Sequence, residues 1–148
     1  MVDQNRQAEL RRSIELLYFA YRAFTSRADR ILERRGLGRA HHRILYFVGR
    51  SPGAPVNVLL ATLGVSKQAL NAPLRQLVAM KLVTAGTASH DRRVKLLNLT
   101  EAGRTLENQL TGAQMKDLAA AFQVTGPDAE EGWRAVMVAL SKEPYVSV

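Results

Sequence analysis

The chain has 148 residues, of which 47% are hydrophobic and 23% charged, and it contains no cysteine. This composition is typical of a soluble globular protein and excludes disulfides and thiolate zinc sites. No apolar run approaches the ~20 residues of a membrane-spanning helix, and the N-terminus has no secretory signal, so we expect a cytoplasmic protein without a membrane partner. The formal net charge is +8, and residues 51–100 carry six bases against the single acid Asp91. This distribution favours a polyanion partner, although an evenly solvated basic surface is the alternative.

The first predicted element is a long helix over residues 8–35. Its apolar residues recur at alternating spacings of four and three, and they are Leu10, Ile14, Leu17, Tyr21, Phe24, Ala28 and Ile31. Such a heptad-like stripe suits packing against other long helices, so the pattern predicts an oligomerisation arm. An ordinary helix that faces the core is the alternative.

Three shorter helices are predicted next. The first spans about 40–50, the second begins at a cap on Asn57 and ends before Gly64, and the third runs from a cap on Ser66 to about Met80. Apolar side chains define the inner face of the third helix. Its outer face carries Lys67, Gln68, Asn71, Ala72, Arg75 and Gln76.

Two β-prone stretches follow, at 82–85 and 94–99, and the polar segment between them predicts a hairpin. Thr100 is predicted to cap a helix over about 101–123. Gly126 and Pro127 should end it and open a final helix, whose apolar stripe is formed by Trp133, Val136, Met137 and Leu140.

A short helix, a glycine-containing turn, a second helix and a basic hairpin follow one another in the order that DNA-binding winged domains require. A helix fits the major groove of B-DNA, where the amides of Gln68 and Asn71 suit adenine. Lys67 and Arg75 could contact guanine or phosphate. The guanidinium groups of the hairpin suit a narrow minor groove. Asp91 is interpreted as the partner that orients a neighbouring arginine.

Three stretches of the sequence carry a family resemblance. They are Lys81-Leu82-Val83, Asp91-Arg92-Arg93 and Leu99-Thr100-Glu101-Ala102-Gly103, and together they resemble the "GLV … DRR … LTxxG" signature of the MarR family of bacterial regulators. Lys81 stands in place of the usual glycine. The segment from Leu59 to Ser66 is similar to the first helix and turn of the family's helix-turn-helix, with Leu60 in place of a small residue.

The resemblance implies a single MarR-like domain over residues 1–148, mainly α-helical with a small β-hairpin wing. Residues 40–99 would form the winged helix-turn-helix lobe, and 8–35 and 101–141 the dimerisation helices of a roughly triangular homodimer. The dimer interface would include Leu10, Ile14, Leu17, Trp133, Val136, Met137 and Leu140. The implied contacts with duplex DNA come from Ser66, Lys67, Gln68, Asn71, Ala72, Arg75, Gln76, His90, Arg92, Arg93 and Lys95.

Many members of this family are repressors that a small aromatic or phenolic ligand releases from DNA. Such an effector would bind between the dimerisation helices and the DNA-binding lobe, near Tyr18, Tyr21, Arg22, His41, His42 and Tyr46. Core or interface packing is the simpler explanation for most of these residues. Further phosphate contacts are expected from Arg39, His42, Arg75 and Lys95.

Pro73 departs from the family's pattern because it lies in the middle of the predicted recognition helix. Proline removes one backbone hydrogen bond and clashes with the carbonyl four residues earlier, at roughly 3 kcal/mol. We therefore expect a kink or a reoriented first turn. The alternative function is a winged-helix dimer with impaired DNA binding that acts through protein contacts.

An enzyme is not expected. The sequence has no glycine-rich phosphate loop, its acids are scattered, and Ser66 has no histidine placed to activate it. His41 and His42 are adjacent and point about 100° apart on a helix, which disfavours a shared metal. We expect neither a metal nor a cofactor.

Overall fold

The computed structural model describes residues 3–142 of the chain. Within this range the elements are α1 (Gln4–Glu33), α2 (Arg39–Arg50), β1 (Ala54–Pro55), α3 (Val56–Leu63), α4 (Lys67–Ala79), β2 (Val83–Thr87), β3 (Lys95–Leu99), α5 (Glu101–Thr125) and α6 (Pro127–Ser141). This mainly helical architecture with a small antiparallel sheet confirms the predicted fold class. No helix among the described residues is long and apolar enough to cross a membrane.

The chain divides into two compact units, Met1–Gln114 and Met115–Val148. The first unit contains the sheet, the helices α1 to α4 and the first part of α5. The second contains the end of α5 and α6, where the rings of Phe122 and Trp133 meet edge to face with their centroids 5.5 Å apart. No side chain of α6 is buried among the described residues.

The sheet has three strands in the order β1-β3-β2, all antiparallel. The predicted hairpin forms between β2 and β3, from the pair Val83 and Leu99 to the pair Thr87 and Lys95. The first strand of the hairpin is therefore longer than expected, since Gly86 and Thr87 belong to it. The short strand β1 was not predicted.

The core of the first unit lies where the end of α1, α2, α4, the sheet and the start of α5 meet. Its largest fully buried side chains are Leu32, Ile44, Leu45, Leu77, Leu82, Val83, Leu97 and Leu110. Only the last third of α1 takes part, because its buried residues begin at Thr25. Along its first half the heptad-like stripe is exposed, and the exposed fraction of Ile14 reaches 67%.

Most helix ends agree with the sequence. The hydroxyl of Ser66 accepts a hydrogen bond from the backbone N–H of Ala69, and Gly64 ends α3 at a φ of 64°. The predicted cap on Asn57 is wrong. Pro55 occupies the N-cap position in an extended conformation, and Asn57 lies inside the first turn of α3, because the helix already begins at Val56.

The predicted recognition helix forms α4, which is continuous from Lys67 to Ala79 with Pro73 inside it. Its first turn is regular, since Ser66 caps it and the N–H of Leu70 donates to the carbonyl of Ser66 at 3.1 Å. The reoriented first turn that Pro73 led us to expect is therefore wrong. The half-buried ring of Pro73 lines a small cavity beside α2 and the end of α3.

Helix α4 ends in a Schellman motif. The N–H of Lys81 donates to the carbonyl of Val78 and the N–H of Leu82 donates to that of Leu77, both at 3.0 Å. This geometry places Lys81 in the left-handed region at a φ of 59°, where glycine is the usual residue. The position therefore keeps its left-handed conformation although its residue has a side chain.

A close contact joins the end of α4 to the start of α5. Thr100 donates from its hydroxyl to the carbonyl of Lys81 at 2.7 Å and accepts from the N–H of Gly103 at 2.9 Å. Its own N–H donates to the carbonyl of Leu82 at 3.0 Å. A Cβ atom on Gly103 would overlap that same carbonyl group. The Leu-Thr-x-x-Gly motif is thus a steric and hydrogen-bonding joint, which we call the Thr100–Gly103 joint.

Replacing Gly103 with alanine should lower the free energy of unfolding by about 3 kcal/mol, because an added methyl group must displace backbone. Urea unfolding followed by circular dichroism measures this. Gly112→Ala is the matched control, since Gly112 lies on the same helix with open space around it. That variant should gain roughly 0.5–1 kcal/mol from helix propensity. Equal effects of the two substitutions would contradict the steric explanation.

Candidate nucleic-acid interface

The outer face of α4 presents the side chains that the sequence assigned to base and phosphate contacts. Lys67, Gln68, Asn71, Ala72 and Arg75 are all exposed. The opposite face is anchored in the core through Leu70 and Leu77. A helix that is fixed on one side and polar on the other can enter a DNA groove without unfolding.

The polar and charged side chains of the wing lie at its tip, between β2 and β3, and at the first residue of β3. His90, Arg92, Arg93 and Lys95 are exposed. Asp91 accepts from the backbone N–H of Arg93 at 2.9 Å and from two guanidinium nitrogens of the same residue at 3.2 Å. These side-chain and backbone hydrogen bonds lower the pKa of the Asp91 carboxyl. Asp91 therefore restricts the rotamers of Arg93, whose side chain is 91% exposed.

A groove of about 760 Å³ lies between the recognition helix and the wing, and we call it the α4–wing groove. Its floor is apolar and includes Leu60, Leu70, Leu74 and Val78. Every charged side chain in its lining is a base, and these bases are Lys67, Arg75, Arg93 and Lys95. The fold thus brings cations from two separate sequence segments onto one surface, where they attract a polyanion.

Asn57 also lines this groove. Sequence reasoning missed it as an interface residue because it was interpreted only as a helix cap. Its exposed amide on the first turn of α3 was the signal that could have identified it.

Among the predicted contact residues of α4, Gln76 is the one whose side chain makes hydrogen bonds with another part of the described chain. Its amide makes hydrogen bonds with His41 at 2.8 Å and with the carbonyl of Gly36 at 3.4 Å. His41 lies in the first turn of α2 and Gly36 in the segment that joins α1 to α2, and Gln76 does not line the α4–wing groove.

The residues predicted to line an effector pocket differ in exposure and in the side chains that they contact. Tyr18 is exposed and meets Phe19 edge to face, and Tyr46 meets Phe47 in the same way. The hydroxyl of Tyr21 accepts from Arg43 at 3.0 Å. Arg22 is exposed on α1.

Arg39 is exposed and also contacts two residues of α1. Its Nε donates to Asp29 at 3.0 Å, and its guanidinium lies 5.7 Å from the centroid of the Tyr21 ring. These contacts tie the start of α2 to α1. The guanidinium thus already has an anionic partner where a phosphate contact was expected.

His42 is buried, with an exposed fraction of 9%, and its Nε2 lies 3.4 Å from the hydroxyl of Thr111. That hydroxyl donates to Glu107 at 2.8 Å. The expected phosphate contact from His42 is therefore wrong, because helical periodicity turns its ring toward α5. Burial lowers the pKa of His42 from 6.5, although the carboxylates of Glu107 and Asp29 act in the opposite direction.

A recognition helix and a basic hairpin that share one cationic surface define a winged-helix regulator of transcription. The MarR family model matches residues 35–94. The HTH-type transcriptional regulator PetP of Rhodobacter capsulatus is 45% identical over 132 residues, which are 89% of this chain and 80% of that protein. The chain belongs to the MarR family. This confirms the resemblance found in the sequence.

Solved structures agree on the fold. One MarR family transcription regulator matches with a TM-score of 0.79 at 20% identity, covering 93% of this chain and 91% of that chain. Bordetella bronchiseptica BpsR, whose DNA binding is regulated by 6-hydroxynicotinic acid, matches with a TM-score of 0.68 at 18% identity, covering 88% and 98% respectively.

The chain is therefore a transcriptional regulator of MarR type and not an enzyme, as its sequence predicted. Within residues 3–142, no group of three or more histidine, aspartate or glutamate side chains is arranged to hold a metal ion.

Stability should fall as the pH decreases from about 7.5 to 5.5. In that window the unfolded chain binds a proton at His42 more readily than the folded chain, because burial lowers the pKa of the folded state. Urea unfolding at several pH values gives the free energy of unfolding as a function of pH. The slope of that dependence should be smaller for His42→Gln than for the parent. His90→Gln, on the exposed wing, should keep the parent's slope, and identical slopes for all three proteins would contradict the role of His42.

Proposed function

We propose that this chain is a sequence-specific repressor that binds duplex DNA as a homodimer and is released by a small aromatic ligand. The observation that carries the proposal is the α4–wing groove, which gathers Lys67, Arg75, Arg93 and Lys95 without an acid in its lining. Clustered bases of this kind release counterions from DNA and supply much of its affinity.

In the proposed complex, α4 enters the major groove and the wing reaches the adjacent minor groove. Gln68 and Asn71 have the donor and acceptor pair that adenine presents. Arg92 and Arg93 carry the guanidinium groups that narrow A·T minor grooves attract. The regular first turn of α4 supports these contacts, because its exposed residues keep the helical spacing that the sequence predicts.

Exposed apolar side chains support the homodimer. Leu10, Ile14 and Leu17 on α1 are each at least 40% exposed, as are Trp133, Val136 and Leu140 on α6. Met137 is half-buried beside them. Exposed apolar side chains that recur along a helix suit a protein interface. A twofold dimer would present two recognition helices to half-sites about 10 bp apart.

The proposed effector would bind beside aromatic and cationic side chains of α1 and α2. Tyr18, Tyr21, His41 and Tyr46 are aromatic groups on α1 and α2 that could contact an aromatic ligand, and Arg22 is a cation for an acidic one. BpsR, which shares the fold, responds to an aromatic acid. To act as an inducer, the ligand must prefer the state that cannot bind DNA, since equal affinities shift no equilibrium.

The proposal is tested by fluorescence anisotropy on the DNA upstream of the gene and on random duplex DNA, over a salt series. We expect tighter binding to the upstream fragment and a steep loss of affinity with salt. Weak binding without preference would overturn it and favour the winged-helix dimer that acts through protein contacts.

Arg93→Ala should weaken operator binding by about 1–3 kcal/mol, because it removes a groove contact that Asp91 orients. The same anisotropy titration measures this. Arg11→Ala removes an equal charge from the exposed first half of α1 and should leave affinity unchanged. An Arg93→Ala protein with the parent's affinity and salt dependence would remove Arg93 from the interface.

Ile14→Glu should convert the dimer to a monomer, since it places a charge on the exposed apolar stripe of α1. Light scattering after size-exclusion chromatography measures the mass. Arg12→Glu is the matched control, because two residues along a helix correspond to about 200° and thus to the opposite face. A dimer that survives Ile14→Glu would argue against this interface.

A further inference from the structure

One face of the recognition helix is turned toward α2. Ala69 and Pro73 line a cavity of about 220 Å³ together with Ala40, Arg43 and Ile44 of α2. Gln76 follows one turn after Pro73 on that face, since residues three or four apart lie above one another on a helix. It is therefore displaced around the helix from the DNA-facing residues Asn71 and Arg75.

A relay of hydrogen bonds starts from Gln76. Its Oε1 lies 2.8 Å from Nε2 of His41, and its Nε2 donates to the carbonyl of Gly36 at 3.4 Å. The other ring nitrogen of His41, Nδ1, accepts from the backbone N–H of Gly38 at 2.9 Å. Because Nδ1 is an acceptor, the ring proton resides on Nε2, and His41 donates to Gln76.

This relay supports the helix just past its weakest internal point. Pro73 has no N–H, so the carbonyl of Ala69 lacks its usual partner in the helical ladder. The turns on either side of that gap are therefore less firmly connected than in an uninterrupted helix. The first is fixed by the Ser66 cap at 3.0 Å, and Gln76 ties the second to the start of α2.

We propose that His41 and Gln76 form a strut that sets the orientation of the recognition helix beyond Pro73. Gln76 is thus a positioning residue, and not the direct DNA contact that the sequence suggested. Its amide oxygen and nitrogen are already engaged with protein partners, which fix the orientation of the amide. The inference rests on the proposed function, because the orientation of α4 matters through its effect on DNA binding.

His41 caps α2 through Nδ1 and contacts Gln76 through Nε2, and a substitution can separate these two roles. Glutamine at the third position of a helix can accept from the N-cap N–H, as in a capping box. His41→Gln therefore keeps the cap on α2 while it removes the aromatic bridge to Gln76. Gln76→Ala removes the same bridge from its other end, together with the longer hydrogen bond to Gly36.

Operator affinity of the two single variants and the double variant forms a cycle. Each single variant should bind roughly five- to tenfold more weakly, as expected for the loss of one hydrogen bond. The double variant should be no weaker than Gln76→Ala, because His41→Gln has no strut left to remove in that background. Gln68→Ala is the matched control on the DNA-facing side, and its effect should multiply with that of His41→Gln. Equal losses from Gln76→Ala in both backgrounds would make Gln76 a direct DNA contact and overturn the strut.

Hydrogen exchange of the DNA-free protein provides the second measurement. Amides of residues 76–80 should exchange faster in both single variants and to the same extent in the double one, while α3 stays as in the parent. Unchanged exchange would overturn the strut whatever the affinities are. Faster exchange in a protein whose parent lacks operator preference would support the strut and overturn the proposed function, so the two failures are distinguishable.

Discussion

The contact between Gly103 and the carbonyl of Leu82 constrains the rest of the first unit. It fixes the point at which α5 leaves the sheet, and Thr100 adds hydrogen bonds to Lys81 and Leu82 across the same gap. The end of α4, both strands of the wing and the start of α5 are thereby held together within a few residues. Side chains elsewhere can repack, but a backbone contact of this kind leaves no room for adjustment.

The cationic groove depends on this joint. Arg75 reaches it from α4, and Arg93 and Lys95 reach it from the wing, so the spacing between these cations is set where the two elements meet. Asp91 adds local order by holding the Arg93 guanidinium. The Asp91 carboxylate occupies some of the guanidinium donors and reduces the local positive charge. The attraction of Arg93 for a polyanion is therefore weaker, but its side chain is restricted to fewer rotamers.

Much of the fold followed from local patterns in the sequence. The Ser66 cap, the break at Gly64 and the hairpin are encoded by neighbouring residues whose preferences are strong. The failures share a different cause. Pro73 was expected to kink α4 or to reorient its first turn, but the Ser66 cap keeps that turn regular. The inward orientation of His42 and the hydrogen bonds of Gln76 depend on helices distant in sequence. The backbone of Lys81 likewise depends on its surroundings. Hydrogen bonds at the end of α4 impose a left-handed conformation on a residue that disfavours it.

The exposed stripe on the first half of α1 has a consequence for how stability is measured. A helix of this length gains little from propensity alone and relies on packing for its order. When a second copy covers the stripe, the free energy of association adds to that of folding by mass action. In such a dimer the midpoint of thermal unfolding would rise with protein concentration, and the partner would add to the stability of the exposed half of α1.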